Sequence, residues 1–600
     1  MAVNKVIFDG QTLVDLTSDT VTSDKLAQGF TAHDASGASI VGTMSPGSGG
    51  ETAEKQVFFY DYDGTELYSY SLSEARALSA LPSNPTHAGL TSQGWNWTLA
   101  EINSYLTSYP TATICVGQMY VTTSGSTELD LVFTDSSTLS ITVNLYVNGT
   151  ISIDWGDGSS ADSITSASIT TRRYVSHTYA SVGSYTISIS LTNGSEYRLG
   201  NTLAYKIIEP AGNGSYSTVG FDAPFNALLK HVRIGNNVNA LGSYAFASMS
   251  CLETITIPST LSLWRSHAFY FCQKLKSVTL PPLLDVVSGN NTNYAFYSCF
   301  SLEHMCFPYE IGSTWAVNQS STTMFTNCIS LKDITLPHNL QYLWSSTFQY
   351  CQKLKSVVVP DSVLQFVGNY HFQYCYSLES VVLPNALTAL PYGAFTYCVN
   401  LSDINVPSSL TSVGAYSFDH CCNLDLSDIF NVDLTSIGTY AFSNTATKEA
   451  DMSSLSLTSI PERAFAECYR MKSFTLPSTV TSIGNYALMG TTRQISELIL
   501  PEGLLTIGNS ALSSGNAIYN ISVLAVTIPS TVTSIGSSAF QYFPSVKEWR
   551  ILPTTPPTLS NVNAFTPMRD DAVIYVPSGS LSAYQSATNW STYASKMVEE

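Results

Sequence analysis

The 600-residue chain is short of charge. Charged residues make up 12% of it, roughly half the share of an ordinary soluble protein. The ions present lean acidic, 44 Asp and Glu against 25 Lys and Arg, for a formal net charge of −19. Phosphate neutralisation needs clustered Lys and Arg, and no such cluster appears, which argues against nucleic acid as a partner. No stretch approaches about 18 consecutive apolar residues, so no membrane insertion is expected. Met1-Ala2-Val3-Asn4-Lys5-Val6 leads into no apolar core of the secretory type, and Lys596-Met597-Val598-Glu599-Glu600 is no lipidation or sorting signal. The expectation is a chain that does not use the common export route.

Motifs for chemistry are scarce as well. There is no nucleophile elbow, phosphate loop or His-Glu-x-x-His, the nine histidines are scattered, and the 12 cysteines form no Cys-x-x-Cys pair. The reading is no enzyme, no cofactor and no metal. A glycosidase carboxylate pair needs no local motif, so a carbohydrate-active enzyme stays as the catalytic alternative. Asp154 and Asp157 could ligate calcium, but two carboxylates at a turn are more often turn formers.

What the chain does have is apolar content, 44% of residues, with 36 Gly and 25 Pro near average usage. That suits packed cores with a surface of Ser, Thr, Asn and Tyr. From about residue 221 the sequence repeats. An anchor, usually Phe after Ala, falls at Phe246, Phe269, Phe296, Phe325, Phe348, Phe372, Phe395, Phe418, Phe442, Phe465, Leu488, Leu512, Phe540 and Phe565. The mean interval is about 24.5 residues, inside the leucine-rich-repeat window of about 20–29. An apolar residue follows six places on (Leu252, Leu354, Leu378, Leu401), then an apolar-Pro pair (Leu280-Pro281, Val359-Pro360, Leu383-Pro384). Gly is favoured four places before the anchor, as at Gly242, Gly368, Gly414 and Gly484. Each unit reads as one short strand and one short helical or turn segment, stacked into a solenoid with a shared core; Gly is expected to permit a tight turn.

The run Thr411-Ser412-Val413-Gly414-Ala415-Tyr416-Ser417-Phe418-Asp419-His420-Cys421-Cys422-Asn423-Leu424 resembles the BspA-type leucine-rich repeat family of bacterial surface proteins. Ile574-Tyr575-Val576-Pro577-Ser578-Gly579 with Asn589-Trp590 is similar to that family's terminal unit. The resemblance covers about 221–600 and implies adhesion or recognition. Asp154-Trp155-Gly156-Asp157-Gly158-Ser159, with His177-Thr178-Tyr179 and Gly183-Ser184-Tyr185-Thr186, resembles PKD-type immunoglobulin-like domains, which implies a small antiparallel sandwich serving as a spacer. Residues 1–45, with a strand-turn-strand over Val6–Leu16 and a short helix from Thr22, resemble N-terminal segments of tail proteins from phages of Gram-positive gut bacteria. Residues 55–127, with Phe59-Tyr60-Asp61-Tyr62-Asp63-Gly64 and Gly94-Trp95-Asn96-Trp97, resemble a second module of such proteins.

The expected fold is therefore mixed and multidomain: attachment module 1–45, linker 46–54, small α+β module 55–127, PKD/Ig-like β-sandwich 128–200, leucine-rich repeat solenoid 201–575 and cap 576–600. The expected function is a phage tail-tip or tail-fibre protein in the virion. Its N-terminal module would hold other tail or baseplate proteins, its solenoid would bind a bacterial surface glycan or protein, and it could form homo-oligomers. The alternative is a BspA-like surface or secreted adhesin.

Two residue classes stand out in the repeat. Cys272, Cys299, Cys328, Cys351, Cys375, Cys398, Cys421 and Cys468 each sit three places after an anchor and read as a buried structural column. Aromatic residues recur two places after the anchor (Tyr350, Tyr374, Tyr397) and two before it (Tyr370, Tyr416, Tyr440), which stacks them into stripes. Tyr offers a flat apolar face with a polar tip. With Trp344, which replaces the usual Gly, these six form the candidate receptor-binding patch.

Overall fold

A computed structural model describes residues 5–8, 11–15, 31–33, 39–41, 54–199, 203–205, 228–282 apart from 237, 243 and 265, then 284, 294–312, 323–515 and 523–600. The chain divides into two compact units, residues 1–56 with 69–77 and residues 57–68 with 78–600.

In the first unit, β1 (Lys5–Phe8) pairs antiparallel with β2 (Gln11–Asp15), giving the two expected strands, while the residues between them lie outside the described ones. A second hairpin joins β3 (Thr31–His33) to β4 (Ser39–Val41). The helix expected from Thr22 and nearly all of the linker lie outside the described residues. Strands β5 (Lys55–Tyr60) and β6 (Glu66–Ser71) follow in the chain. After β6, Ser71 caps α1 (Leu72–Arg76) in a reciprocal capping box with Glu74.

The second unit holds a four-stranded sheet in the order β6-β5-β8-β7, with β7 (Leu90–Trp95) antiparallel and residues 57–60 of β5 parallel to β8 (Ile114–Thr122). Helix α2 (Leu99–Ser108) starts at a Thr98/Glu101 capping box. Every residue of β8 is buried, because its far side lies against the solenoid. Gly117 is obligatory there: a Cβ would meet the Thr279 side chain at 2.0 Å. Asn96 Nδ2 donates to the carbonyls of Leu280, Cys306 and Phe307 at 3.0–3.2 Å, and Trp97 Nε1 donates to Phe307 O at 2.7 Å. The module thus covers the strand face of the early coils and satisfies carbonyls it would otherwise desolvate.

Four long antiparallel strands follow, β9 (Thr127–Phe133), β10 (Ser140–Asp154), β11 (Asp162–Thr178) and β12 (Gly183–Leu199). Their ladder runs β11-β10-β12-β9. It does not stop at the solenoid. β9 pairs antiparallel with β14 (Leu229–Arg233), and β12 reaches β15 (Val238–Leu241) through β13 (Leu203–Tyr205). These carry on into β16 (Thr254–Thr256) and β17 (Leu263–Trp264) of the next coil. Arg233 fastens the junction, with Nη1 and Nη2 at 2.6 and 2.7 Å from the Asp130 carboxylate and Nε at 2.8 Å from Glu128. One hydrophobic core runs unbroken from Leu129 to Met597. An open first coil would leave two strand edges and an apolar end in water; the antiparallel domain closes both.

The solenoid differs from the expected unit of one strand and one helical or turn segment. Each typical coil carries two short parallel strands, such as Ser380–Val382 and Ala389–Leu390, and the anchor segment is a run of turns. The turns form a third ladder. Phe372 N–H donates to Ala394 O at 2.8 Å and Phe395 N–H to Ser417 O at 2.8 Å, and the residue two places on repeats the bond, Tyr374 to Thr396 O at 2.9 Å. The reason is an alternation of backbone handedness. Both positions flanking the anchor by two are left-handed in coil after coil, for example Tyr370 (φ 62) and Tyr374 (φ 63) around Phe372. That alternation lays successive peptide groups along the stacking direction, where a helix would turn its bonds inward on itself. Four places before the anchor, Gly368 does take a left-handed turn (φ 82), whereas Gly414 and Gly438 answer to crowding: a Cβ there would sit 2.7 and 2.2 Å from the preceding coil's backbone. The C-terminal end is closed by α3 (Leu581–Ser586) and by Trp590, whose Nε1 donates to Pro557 O at 2.7 Å.

Candidate functional site: the anchor-turn face

The anchors form a buried stack, with Phe rings from Phe246 to Phe465 at centroid spacings of 5.2–6.1 Å. Beside it run the eight cysteines, all buried and all free. They are more than small fillers. Each Sγ donates to the anchor carbonyl of an adjacent coil, as in Cys375 to Phe348 O (3.0 Å) and Cys398 to Phe372 O (3.0 Å). Thr491, in the same slot, makes the same bond to Phe465 O. Burial pushes the thiols of Cys328, Cys398 and Cys421 well above their ordinary value, which leaves them unreactive.

Outside the Phe stack, the structure brings six of the seven candidate residues into two columns. Tyr350, Tyr374 and Tyr397 stack face to face at 4.8 and 5.2 Å, and His420 extends the column at 4.3 Å. Tyr416 and Tyr440 stack at 4.4 Å in the second column. All six are half-exposed. Trp344 does not join them. It is 6% exposed, its indole turned inward against Tyr342 and over an apolar cavity of about 40 Å³ lined by Phe307, Ile311 and Met324. Burying the indole there covers apolar surface that the crowded corner leaves open, so Trp344 belongs to the core.

Three neighbours escaped the sequence reading. Tyr392 bridges Tyr370 and Tyr416, at 5.3 and 5.2 Å, across the slot where Gly393 interrupts the column. A Cβ on Gly393 would lie 2.7 Å from the Tyr370 ring. A glycine between Tyr370 and Tyr416 in the same slot of successive coils was the available signal. Arg463 continues the column as a cation between two rings, 5.3 Å from the Tyr440 centroid and 4.5 Å from that of Tyr486. Asp419, 5% exposed, has one carboxylate oxygen 3.0 Å from His420 Nδ1, and the carboxylate beside the ring raises the His420 pKa.

Elsewhere, the acidic turn of the antiparallel domain is used locally. Asp154 accepts from Gly156 N–H at 2.9 Å, and Asp157 accepts from Ser159 N–H at 3.0 Å and contacts His177 Nε2 at 2.8 Å. Among the described residues no group of three or more His, Cys, Asp or Glu is placed to share a metal, and no helix is long and apolar enough to cross a membrane.

Repeating coils of two parallel strands and a turn, with an aromatic surface, define a leucine-rich-repeat solenoid. The chain belongs to the BspA type leucine rich repeat family, whose model matches residues 217–317, 318–448, 393–518 and 458–566. No curated protein matches the chain. Among solved structures it is similar to a leucine-rich repeat protein from Bacteroides ovatus, at 18% identity over 61% of this chain and 100% of that one, TM-score 0.34. It is likewise similar to a leucine rich cell surface protein from Faecalibacterium prausnitzii, at 20% identity over 63% and 98%, TM-score 0.35. The pneumococcal vaccine antigen PcpA aligns at 16% identity over 67% and 96%, TM-score 0.32.

Proposed function

We infer that this chain is a binding protein of the bacterial surface, adhesin-like in role and without catalysis of its own, which recognises a glycan or protein receptor through the aromatic columns of its solenoid. The observation that carries this reading is conformational. Tyr350, Tyr370, Tyr374, Tyr397, Tyr416 and Tyr440 all have positive φ, a backbone state that costs a side-chain-bearing residue roughly 1–2 kcal/mol. Ser248, Ser298, Asn327, Asn444 and Gly490 occupy equivalent slots, so folding alone does not require a ring there. Stacked, half-exposed tyrosines at such positions supply flat binding area at low entropic cost. The early strand face is covered by the α+β module, which leaves the anchor-turn face as the free repetitive surface of those coils. Low charge on the chain favours a receptor read by stacking and hydrogen bonding.

Carriage on a phage tail is the second reading, supported by the resemblance of residues 1–45 and 55–127 to tail modules. Immunogold labelling with antibody against the solenoid separates the two. Label on cell surfaces is the expected result, label on virion tails transfers the protein to the tail, and label on neither overturns both.

A further inference from the structure

The second strand of each coil is tied to its neighbour by a repeated bond. Gly414, Gly438, Gly484, Gly508 and Gly536 each donate their N–H, at 2.8 Å, to the last strand carbonyl of the preceding coil: Leu390, Val413, Ile460, Ile483 and Ile507. Pro391 and Pro461 stand in that same slot, four places before Phe395 and Phe465, and proline has no N–H to give. The ladder stops at both. Gln365–Phe366 and Ala389–Leu390 fall in separate sheets, as do Ser436–Ile437 and Ser459–Ile460.

At the first break the separation is widened from the other side. The coil of Phe372 has an additional corner residue, with Gly368 left-handed (φ 82), and no backbone hydrogen bond joins residues 364–369 to 387–391. A crevice of about 390 Å³ lies there, within the range of small-molecule clefts, about 300–1,000 Å³. Its exposed lining is Leu364, Gln365, Gly368, Asn369, Thr388 and Ala389, with half-buried Pro391 beside them and no ionisable side chain. Among the described residues the carboxamides of Gln365 and Asn369 and the Thr388 hydroxyl make no hydrogen bond. The Thr388 N–H and Leu364 carbonyl, which a continuous ladder would join, are open as well. Leu364 is 56% exposed, and Tyr392, next to Pro391 in the chain, is 39% exposed.

We propose that this crevice is a saccharide subsite that takes one or two neutral sugar residues. Neutral donors and acceptors suit hydroxyls, and Leu364 and Pro391 offer apolar surface to a pyranose face. Every charged ligand would be desolvated without a counter-charge. The subsite deepens the recognition reading and rests on it: Asn369 and Pro391 precede Tyr370 and Tyr392, so a glycan leaving the crevice continues along the aromatic column.

The test uses the full chain, with glucose, galactose, mannose, N-acetylglucosamine and lactose as probes in saturation-transfer NMR and calorimetry. Transfer to at least one sugar is expected, with binding at least 10-fold weaker in Ala389→Trp, which fills the crevice from an exposed position, and in the Gln365→Ala/Asn369→Ala double variant. Circular dichroism and the thermal midpoint of each variant confirm folding. No transfer from any sugar, or transfer unchanged in folded Ala389→Trp, overturns the subsite. Whole-cell binding that persists in Ala389→Trp and is lost in Tyr374→Asn overturns the subsite alone and leaves column recognition standing. Loss of cell binding in Ala389→Trp supports both.

Discussion

Replacing Tyr374 by Asn separates what the aromatic column does for the fold from what it does for binding. Tyr374 is held at φ 63 and stacks on Tyr350 at 4.8 Å and on Tyr397 at 5.2 Å. Two ring pairs are worth about 0.5–1.5 kcal/mol each. Asn tolerates the left-handed state well, and relief of the Tyr backbone returns about 1 kcal/mol or more. The net cost is therefore about 0–2 kcal/mol. Phe372, two residues away and 0% exposed, is the internal contrast: truncation to Ala costs about 3–5 kcal/mol through lost transfer energy and a cavity. A domain of 150–250 residues shifts by about 2–4 °C per kcal/mol, and a larger one by less. Calorimetry should accordingly move the midpoint of Tyr374→Asn by a few degrees at most and that of Phe372→Ala clearly further, while flow cytometry shows binding to bacteria lost in Tyr374→Asn. A Tyr374→Asn midpoint as low as that of Phe372→Ala would refute the argument, because the column would then be part of the core's support.

The thiol column answers to a matched pair of substitutions. Cys398→Thr keeps a donor to Phe372 O and Cys398→Val, of nearly equal shape, does not, so Thr should exceed Val in unfolding free energy from urea titration by about 1 kcal/mol; equal stabilities would remove the S–H bond from the account. Ellman titration of native protein should reach exposed Cys422 first, and all 12 thiols only after denaturation. Acid should weaken the solenoid at His371, which is 0% exposed, with Nε2 3.2 Å from Leu343 O and Val367 O. Burial pulls its pKa down from 6.5 to about 4. The unfolded chain takes up this proton and the folded one does not, so stability is complete above pH 6.5 and falls as pH drops toward 4. The loss amounts to about 3 kcal/mol at roughly 1.4 kcal/mol per unit. Urea midpoints at pH 7.5 and 4.5 should converge in His371→Ala relative to wild type, and an unchanged gap would assign the acid sensitivity elsewhere.

Much of this architecture is written in spacing. The anchor period, the cysteine three places on and the apolar-Pro pair follow from one chemical rule, that each coil must present the same inward face to its neighbours, and a strict period survives in the chain as text. The same rule located the two tyrosine stripes, since equal offsets from a stacked anchor must themselves stack. Trp344 shows where the logic ends. Its offset is that of a corner glycine, but whether a large ring at a corner turns outward or in depends on empty volume supplied by Phe307 and Met324, far away in sequence. Tyr392 was missed for the converse reason, since it reaches the column from a different offset through space that Gly393 vacates, and the glycine was its one mark in the sequence.

By itself, then, the sequence determined the repeat, its register, the buried Phe and Cys stacks and which offsets carry aromatic rings, because these depend on local periodicity alone. Tertiary structure alone decided that the α+β module lies over the early strand face, that β9 and β12 close the first coil, that the anchor turns alternate in handedness, and that prolines at 391 and 461 part the coils. Each of these depends on which backbone donors find acceptors across distances of 20 to 200 residues in the chain, and hydrogen bonds between distant segments leave no period to read.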